Sequence, residues 1–118
     1  MEEAIAELMD ADNVSYGRFT RAYLRYLSAP ELTDTQESRQ LMVLSLAMPD
    51  EPVLRKCWRD WMLEHLAKGD ELDNSHTGTL VRYAADGIWL SELTEGRTMS
   101  PGHRQSLVSD LTKMTLPA

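Results

Sequence analysis

Reactive side chains are few in this chain. The histidines are His65, His76 and His103, and Cys57 is the lone cysteine. No pair of them stands four residues apart on a helix or in an HExxH spacing, so a metal site has no support from the sequence. The segment GDELDNSHTG invites comparison with a calcium loop. Starting that template at Asp70 puts Leu72 at its third position, where a ligand oxygen is required, so the spacing fails. His103, Ser106 and Asp110 lie three and four residues apart and resemble a base, a nucleophile and an orienting acid. They lack a G-x-S-x-G elbow and any oxyanion loop, and such residues on one helix face are expected to be solvated. No glycine loop cradles phosphate. The chain is therefore read as non-enzymatic, with no cofactor.

Composition narrows the remaining classes. With 118 residues, 42% hydrophobic and 26% charged, the chain fits one ordinary globular domain. No apolar run reaches about 18 residues, so no membrane partner is expected. The start, MEEAIAELMDAD, is acidic and unlike a signal peptide, and one cysteine suits a reducing cytoplasm. A formal charge of −7 argues against nucleic-acid binding by this chain alone. Arg18, Arg21 and Arg25 share one helix face. A phosphate-contacting stripe is one reading, and a solvated face beside the acidic Glu2, Glu3, Glu7 and Asp10 is the favoured one.

The elements that position these residues read as helices throughout, about six in all, giving an all-α fold. The first spans 2–11. The second is capped by Asn13 or Ser15 and runs to Ser28, carrying Tyr16, Phe19, Tyr23, Tyr26 and Leu27. The third, 34–48, holds the nearly continuous apolar run LMVLSLAM. The fourth, 51–68, begins at Pro52 and ends at Lys68-Gly69, a cationic turn followed by a glycine C′ position. The fifth starts after Ser75 or Asn74 and ends at Gly96. The last opens with Ser100-Pro101, an N-cap and a proline at N1, and reaches about Thr115.

Two groups of residues remain for a function. Tyr23, Met42, Leu46, Trp58, Trp61, Met62 and Tyr83 are candidates for the wall of a pocket, since methionine and aromatic side chains adapt to apolar ligands. Plain core filling is the competing reading for each. The stretch RYAADGIWLSEL is apolar on several sides. Leu80, Ala84, Gly87 and Ser91 fall within one narrow arc at about 100° per residue, widened by Val81, Ala85 and Ile88. Trp89 and Leu93 point nearly opposite. Such a helix must be covered from more than one direction, and a second copy of the chain is a plausible cover.

The stretch LVRYAADGIWLSEL, the loop GRTMSP and the upstream GRFTRAYLRYL resemble the C-terminal regulatory domain of the TetR family of bacterial repressors. One subgroup carries a closely similar A-D-G-[LI]-W-L-x-E-L stretch in its second-to-last helix. The resemblance implies that the last two helices pair with their symmetry mates as a four-helix homodimer interface. Leu80, Ala84, Gly87, Ile88, Ser91, Leu107, Leu111 and Met114 would lie in it. It also implies that helices 15–28, 34–48 and 51–68 enclose a pocket for a small apolar effector. Members of the family begin with a basic helix-turn-helix domain. Residues 1–12 are acidic and too short to supply one, so the chain is expected to be either the regulatory domain alone or a protein that lost its DNA-reading half, and Met1 running straight into a helix hints at the former. A rival reading is a small helical adaptor that binds another protein through its apolar faces. Residues 1–118 are expected to give no saturable mobility shift with duplex DNA at sub-micromolar protein in about 150 mM salt with competitor; a saturating shift would contradict this.

Overall fold

The computed structural model of the chain describes residues 1–29, 50–95 and 99–117. Among them are five helices and no strand: α1 Glu2–Ala11, α2 Arg18–Ser28, α3 Pro52–Lys68, α4 His76–Glu95 and α5 Pro101–Met114. The all-α expectation holds. The expected helix 34–48, with Met42 and Leu46, lies outside the described residues.

Most helix starts follow local chemistry. Glu51 caps α3 by accepting from the Val53 amide, with Pro52 in the first turn. Ser75 Oγ accepts from the Gly78 amide at 3.1 Å and so caps α4. Ser100 accepts from the His103 amide ahead of Pro101 at the start of α5. Each satisfies one of the amide donors that a helix N-terminus leaves without an intrahelical partner.

The start of α2 departs from the expectation of an Asn13 or Ser15 cap. Its N-cap is Gly17, in the left-handed region at φ 68° and without a side-chain cap. A Cβ there would stand 2.5 Å from Leu72 Cδ2 and 2.6 Å from the Thr115 carbonyl oxygen, so only glycine fits. The caps come instead from the loop between α3 and α4. Asp70 Oδ2 accepts from the Gly17 amide at 2.8 Å, and Asp73 Oδ1 accepts from the Thr20 amide at 3.0 Å. Asp73 Oδ1 also takes the Thr20 hydroxyl at 2.7 Å. The two acids brace each other, each carboxylate accepting the other's backbone N–H. The carboxylates of GDELDN thus hold a helix start. At Gly69, φ is −78°, so it is not a left-handed cap; the absent Cβ leaves room for the Asp73 side chain.

Arg21 corrects the reading of a solvated arginine face. It is 1% exposed. Its Nε donates to Asp12 Oδ2 at 2.6 Å, and Nη2 donates to the Val14 carbonyl at 2.8 Å. Nη1 reaches the Tyr16 carbonyl, the Thr115 carbonyl and the Thr115 hydroxyl. One guanidinium therefore joins the α1–α2 linker to the C-terminal end of α5, where a cation also complements the helix dipole.

Around α2 the core is Ile5, Phe19, Ala22, Tyr23, Leu24, Tyr26, Leu27, Val81, Ala85, Ile88 and Leu111. α1, α4 and α5 pack closely on α2. α3 reaches it through long side chains, with Trp61 and His65 on Phe19. No helix of the described residues is long and apolar enough to cross a membrane.

Removing one partner of a buried ion pair leaves the other charge uncompensated. Arg21→Met should therefore lower unfolding free energy by about 3–5 kcal/mol in a urea titration. Arg21→Lys should recover little, because one ammonium cannot span these acceptors. Burial opposes ionisation of Asp12 most strongly, yet the Arg21 and Val14 bonds and the arginine charges hold its carboxyl below its ordinary range. A lowered carboxyl stabilises the fold above the ordinary aspartate range, and that contribution is lost as pH falls through the folded value. Arg21→Met should flatten this acid limb; an unchanged limb would contradict the pairing.

Candidate functional site

Phe19 and Tyr23 lie one turn apart on α2, so their rings share a face, and α3 brings Trp58, Trp61 and His65 to it. The His65 ring stacks on Phe19 at 4.7 Å with an interplanar angle of 7°. Trp61 meets Phe19 edge-on at 5.9 Å, and lies 6.3 Å from Tyr23 and 6.4 Å from Trp58. Offset and edge-to-face contacts of this kind add to burial. Glu2 on α1 accepts from Trp61 Nε1 and faces His65 Nε2 at 3.1 Å. The Trp61 bond, against a smaller cost of burial, holds the Glu2 carboxyl below its ordinary range.

At the far end of this aromatic wall the Tyr23 hydroxyl donates to Asp86 Oδ1 on α4 at 2.5 Å. Burial, reinforced by the Asp86 charge, pushes the Tyr23 phenol far above its ordinary range, so it stays a donor. Burial also raises the Asp86 carboxyl, offset in part by the Tyr23 bond and the Arg82 charge. Asp86 as a residue keeps contact with solvent while its carboxyl is drawn toward Tyr23. Arg82 is committed elsewhere: its Nη1 donates to Thr20 Oγ1 at 3.0 Å and to the Asp73 carbonyl at 2.7 Å.

Of the residues expected in a pocket wall, Tyr23, Trp58 and Trp61 are brought together. Met62 packs on the edge of the same core. Tyr83 does not join them, being 71% exposed on another side of α4. Met42 and Leu46 fall outside the described residues. Phe19, His65 and Asp86 were not expected here. Phe19 was legible as a member of the Tyr23 stripe, whereas the Tyr23–Asp86 pairing spans 63 positions and leaves no local signal.

The outer side of α4 is a second feature. Leu80 is 56% exposed, Tyr83 71% and Leu90 41%, and Gly87 is exposed among them. These positions recur at three, seven and ten residues from Leu80, one helical stripe. A Cβ built on Gly87 meets nothing within 4 Å, so no packing within the chain requires glycine there. Ala84, Ser91 and Leu107 are half-buried, and Met114 on α5 is exposed. Ile88 and Leu111, expected to face a partner, are instead 6% and 8% exposed within the chain's own core. Ile88 lies on the arc of Val81 and Ala85, which faces α2, and Leu111 joins the same core from α5. His103, Ser106 and Asp110 are all exposed along α5, and Cys57 is exposed on α3.

A carboxyl whose folded value is raised costs stability as pH rises from the ordinary carboxyl range through the folded value, because the unfolded chain ionises first. Asp86→Asn keeps an acceptor for Tyr23 and removes the charge. It should raise the melting temperature at pH 7, with the gain vanishing as pH falls below the carboxylate range. Tyr23→Phe should lower stability by about 1–3 kcal/mol, since a charged acceptor loses its donor. A destabilised Asp86→Asn protein at pH 7 would contradict this reading.

Neither the curated proteins nor the solved structures give a match. The family model for the tetracyclin repressor-like C-terminal domain matches residues 17–116, from the glycine that starts α2 to just past the end of α5. The all-helical order, the α4 and α5 pair and this match agree: the chain belongs to the tetracyclin repressor-like C-terminal domain family.

Proposed function

We propose that this chain is the effector-binding and homodimerisation domain of a TetR-like transcriptional regulator acting in the cytoplasm. The observation that carries the reading is the exposed stripe Leu80, Tyr83, Gly87 and Leu90 on α4. A contiguous exposed apolar face on a helix already buried on its other side marks an interaction surface. A two-fold pairing places the same stripe on both copies, so Leu80 and Leu90 of one chain meet the region around Gly87 of the other. Met114 adds to this face from α5, and Ala84, Ser91 and Leu107 flank it. The effector, a small molecule with an apolar body, is assigned to the aromatic wall of Tyr23, Trp58, Trp61 and Met62.

In a regulator that carries DNA-reading heads, a ligand favouring one arrangement of the dimer biases the distance between those heads. Operator half-sites lie about 34–36 Å apart, so the bias alters operator affinity. Residues 1–118 bind ligand and partner in this reading and perform no chemistry.

Gly87 gives a clean test, because its surroundings within one chain are open. Gly87→Ala should raise the helix propensity of α4 by roughly 0.5–1 kcal/mol. Gly87→Leu should leave the single-chain fold intact but push the paired helices apart. Overpacking costs typically 1–3 kcal/mol per site and enters twice in a two-fold interface. Light scattering at matched concentrations should show dimer for the parent and monomer or aggregate for Gly87→Leu. A Gly87→Leu protein that remains dimeric would remove α4 from the interface. A parent that is monomeric would turn the stripe toward an unlike protein partner.

A further inference from the structure

Apart from Asp86, the exposed residues of α4 from His76 to Leu90 step by four, three, four and three: His76, Leu80, Tyr83, Gly87 and Leu90. That alternation is the heptad spacing with which two helices pack along one seam at a small crossing angle. The seam runs down the side of the helix opposite Ala85, which is fully buried in the core. Charge does not oppose contact along it. Between Leu80 and Leu90 the charged residues are Arg82 and Asp86, and both bond within their own chain. Arg82 donates to Thr20 and the Asp73 carbonyl, and Asp86 accepts from Tyr23. Two copies of a chain with formal charge −7 repel over most of their surfaces, and an uncharged seam is where they approach most easily.

The seam is complementary to itself in one direction only. Leu80 and Leu90 are equidistant from Ala85 along the sequence, and so are Tyr83 and Gly87. Reversing the helix about Ala85 therefore sets leucine on leucine and tyrosine on glycine. Tyr83 is the bulkiest side chain of the seam and is 71% exposed, and no atom lies within 4 Å of where a Cβ on Gly87 would stand. The ring and the notch match in size. A parallel pairing sets Tyr83 on Tyr83 and Gly87 on Gly87, which overfills one layer and leaves a void in the next.

We propose that two copies of this chain pair α4 against α4 antiparallel, centred on the level of Ala85, with each Tyr83 ring filling the notch at the partner's Gly87. The pairing rests on the homodimer reading above and adds to it a direction, a register and the two residues that set them. An unlike helix with a side chain in place of that notch meets the Tyr83 ring and is rejected, so the same two residues select a second copy over other partners.

Crosslinking reads the direction. Leu80→Cys and Leu90→Cys are made separately in a Cys57→Ser background, which removes the native thiol. In the antiparallel pair the two copies of position 80 stand about 15 Å apart along the helix, at about 1.5 Å per residue, and so do the two copies of position 90. A disulfide needs Cα atoms within about 7 Å. On oxidation each variant alone should stay uncrosslinked, and an equimolar mixture of the two should crosslink. A size swap reads the register. Tyr83→Ala and Gly87→Leu should each weaken the dimer about tenfold or more in sedimentation equilibrium. Together they should recover at least about tenfold over Gly87→Leu alone, because each makes room for the other across the pair. Circular dichroism melts confirm that every variant is folded. Self-crosslinking of either cysteine variant, an uncrosslinked mixture, or a double variant no better than Gly87→Leu overturns this pairing and leaves the homodimer reading standing. A parent chain that is monomeric at every concentration overturns both.

Discussion

The Arg21 guanidinium is the constraint on which the rest of the arrangement depends. A cation that is 1% exposed is tolerated only when acceptors replace the water it has lost. Here they come from Asp12, Val14, Tyr16 and Thr115, so the α1–α2 linker and the last turn of α5 must converge on α2. Asp70 and Asp73 add a second tie at the same turn by capping α2 from the α3–α4 loop. Thr20 joins the two α4-side partners, donating to Asp73 and accepting from Arg82. With its N-terminal turn held by polar bonds, α2 presents Phe19 and Tyr23 to α3 and Ala22, Tyr26 and Leu27 to the common core.

That arrangement divides the labour of α4. Val81, Ala85 and Ile88 are consumed by the core, and Arg82 by the polar tie. Asp86 is left at the edge of the aromatic wall, and Leu80, Tyr83, Gly87 and Leu90 face outward. A single helix therefore touches the proposed effector site on one edge and the proposed partner on another.

Much of the fold was legible because it rests on local chemistry. Pro52, Ser75 and Ser100-Pro101 mark helix starts by hydrogen bonds reaching two or three residues. The burial of Phe19, Tyr23, Tyr26 and Leu27 follows from helical spacing. What escaped was nonlocal. Arg21 meets Thr115 across 94 positions, and Thr20 meets Asp73 across 53, so a face of three arginines read as solvated. Asp86 escaped for the same reason. The residues expected at an interface divide because the core arc and the outer arc of α4 abut: Ile88 lies only about 100° from Gly87, yet one is buried and the other exposed. Tyr83 was grouped with the aromatic wall by residue type, and its position on the helix places it outside.

The most direct measurement is sedimentation equilibrium on the unaltered chain over a wide concentration range. The account predicts a reversible monomer–dimer equilibrium, with dimer dominant at micromolar concentration and weakly dependent on salt, as an apolar α4 face requires. A cooperatively folded monomer at every concentration would contradict it.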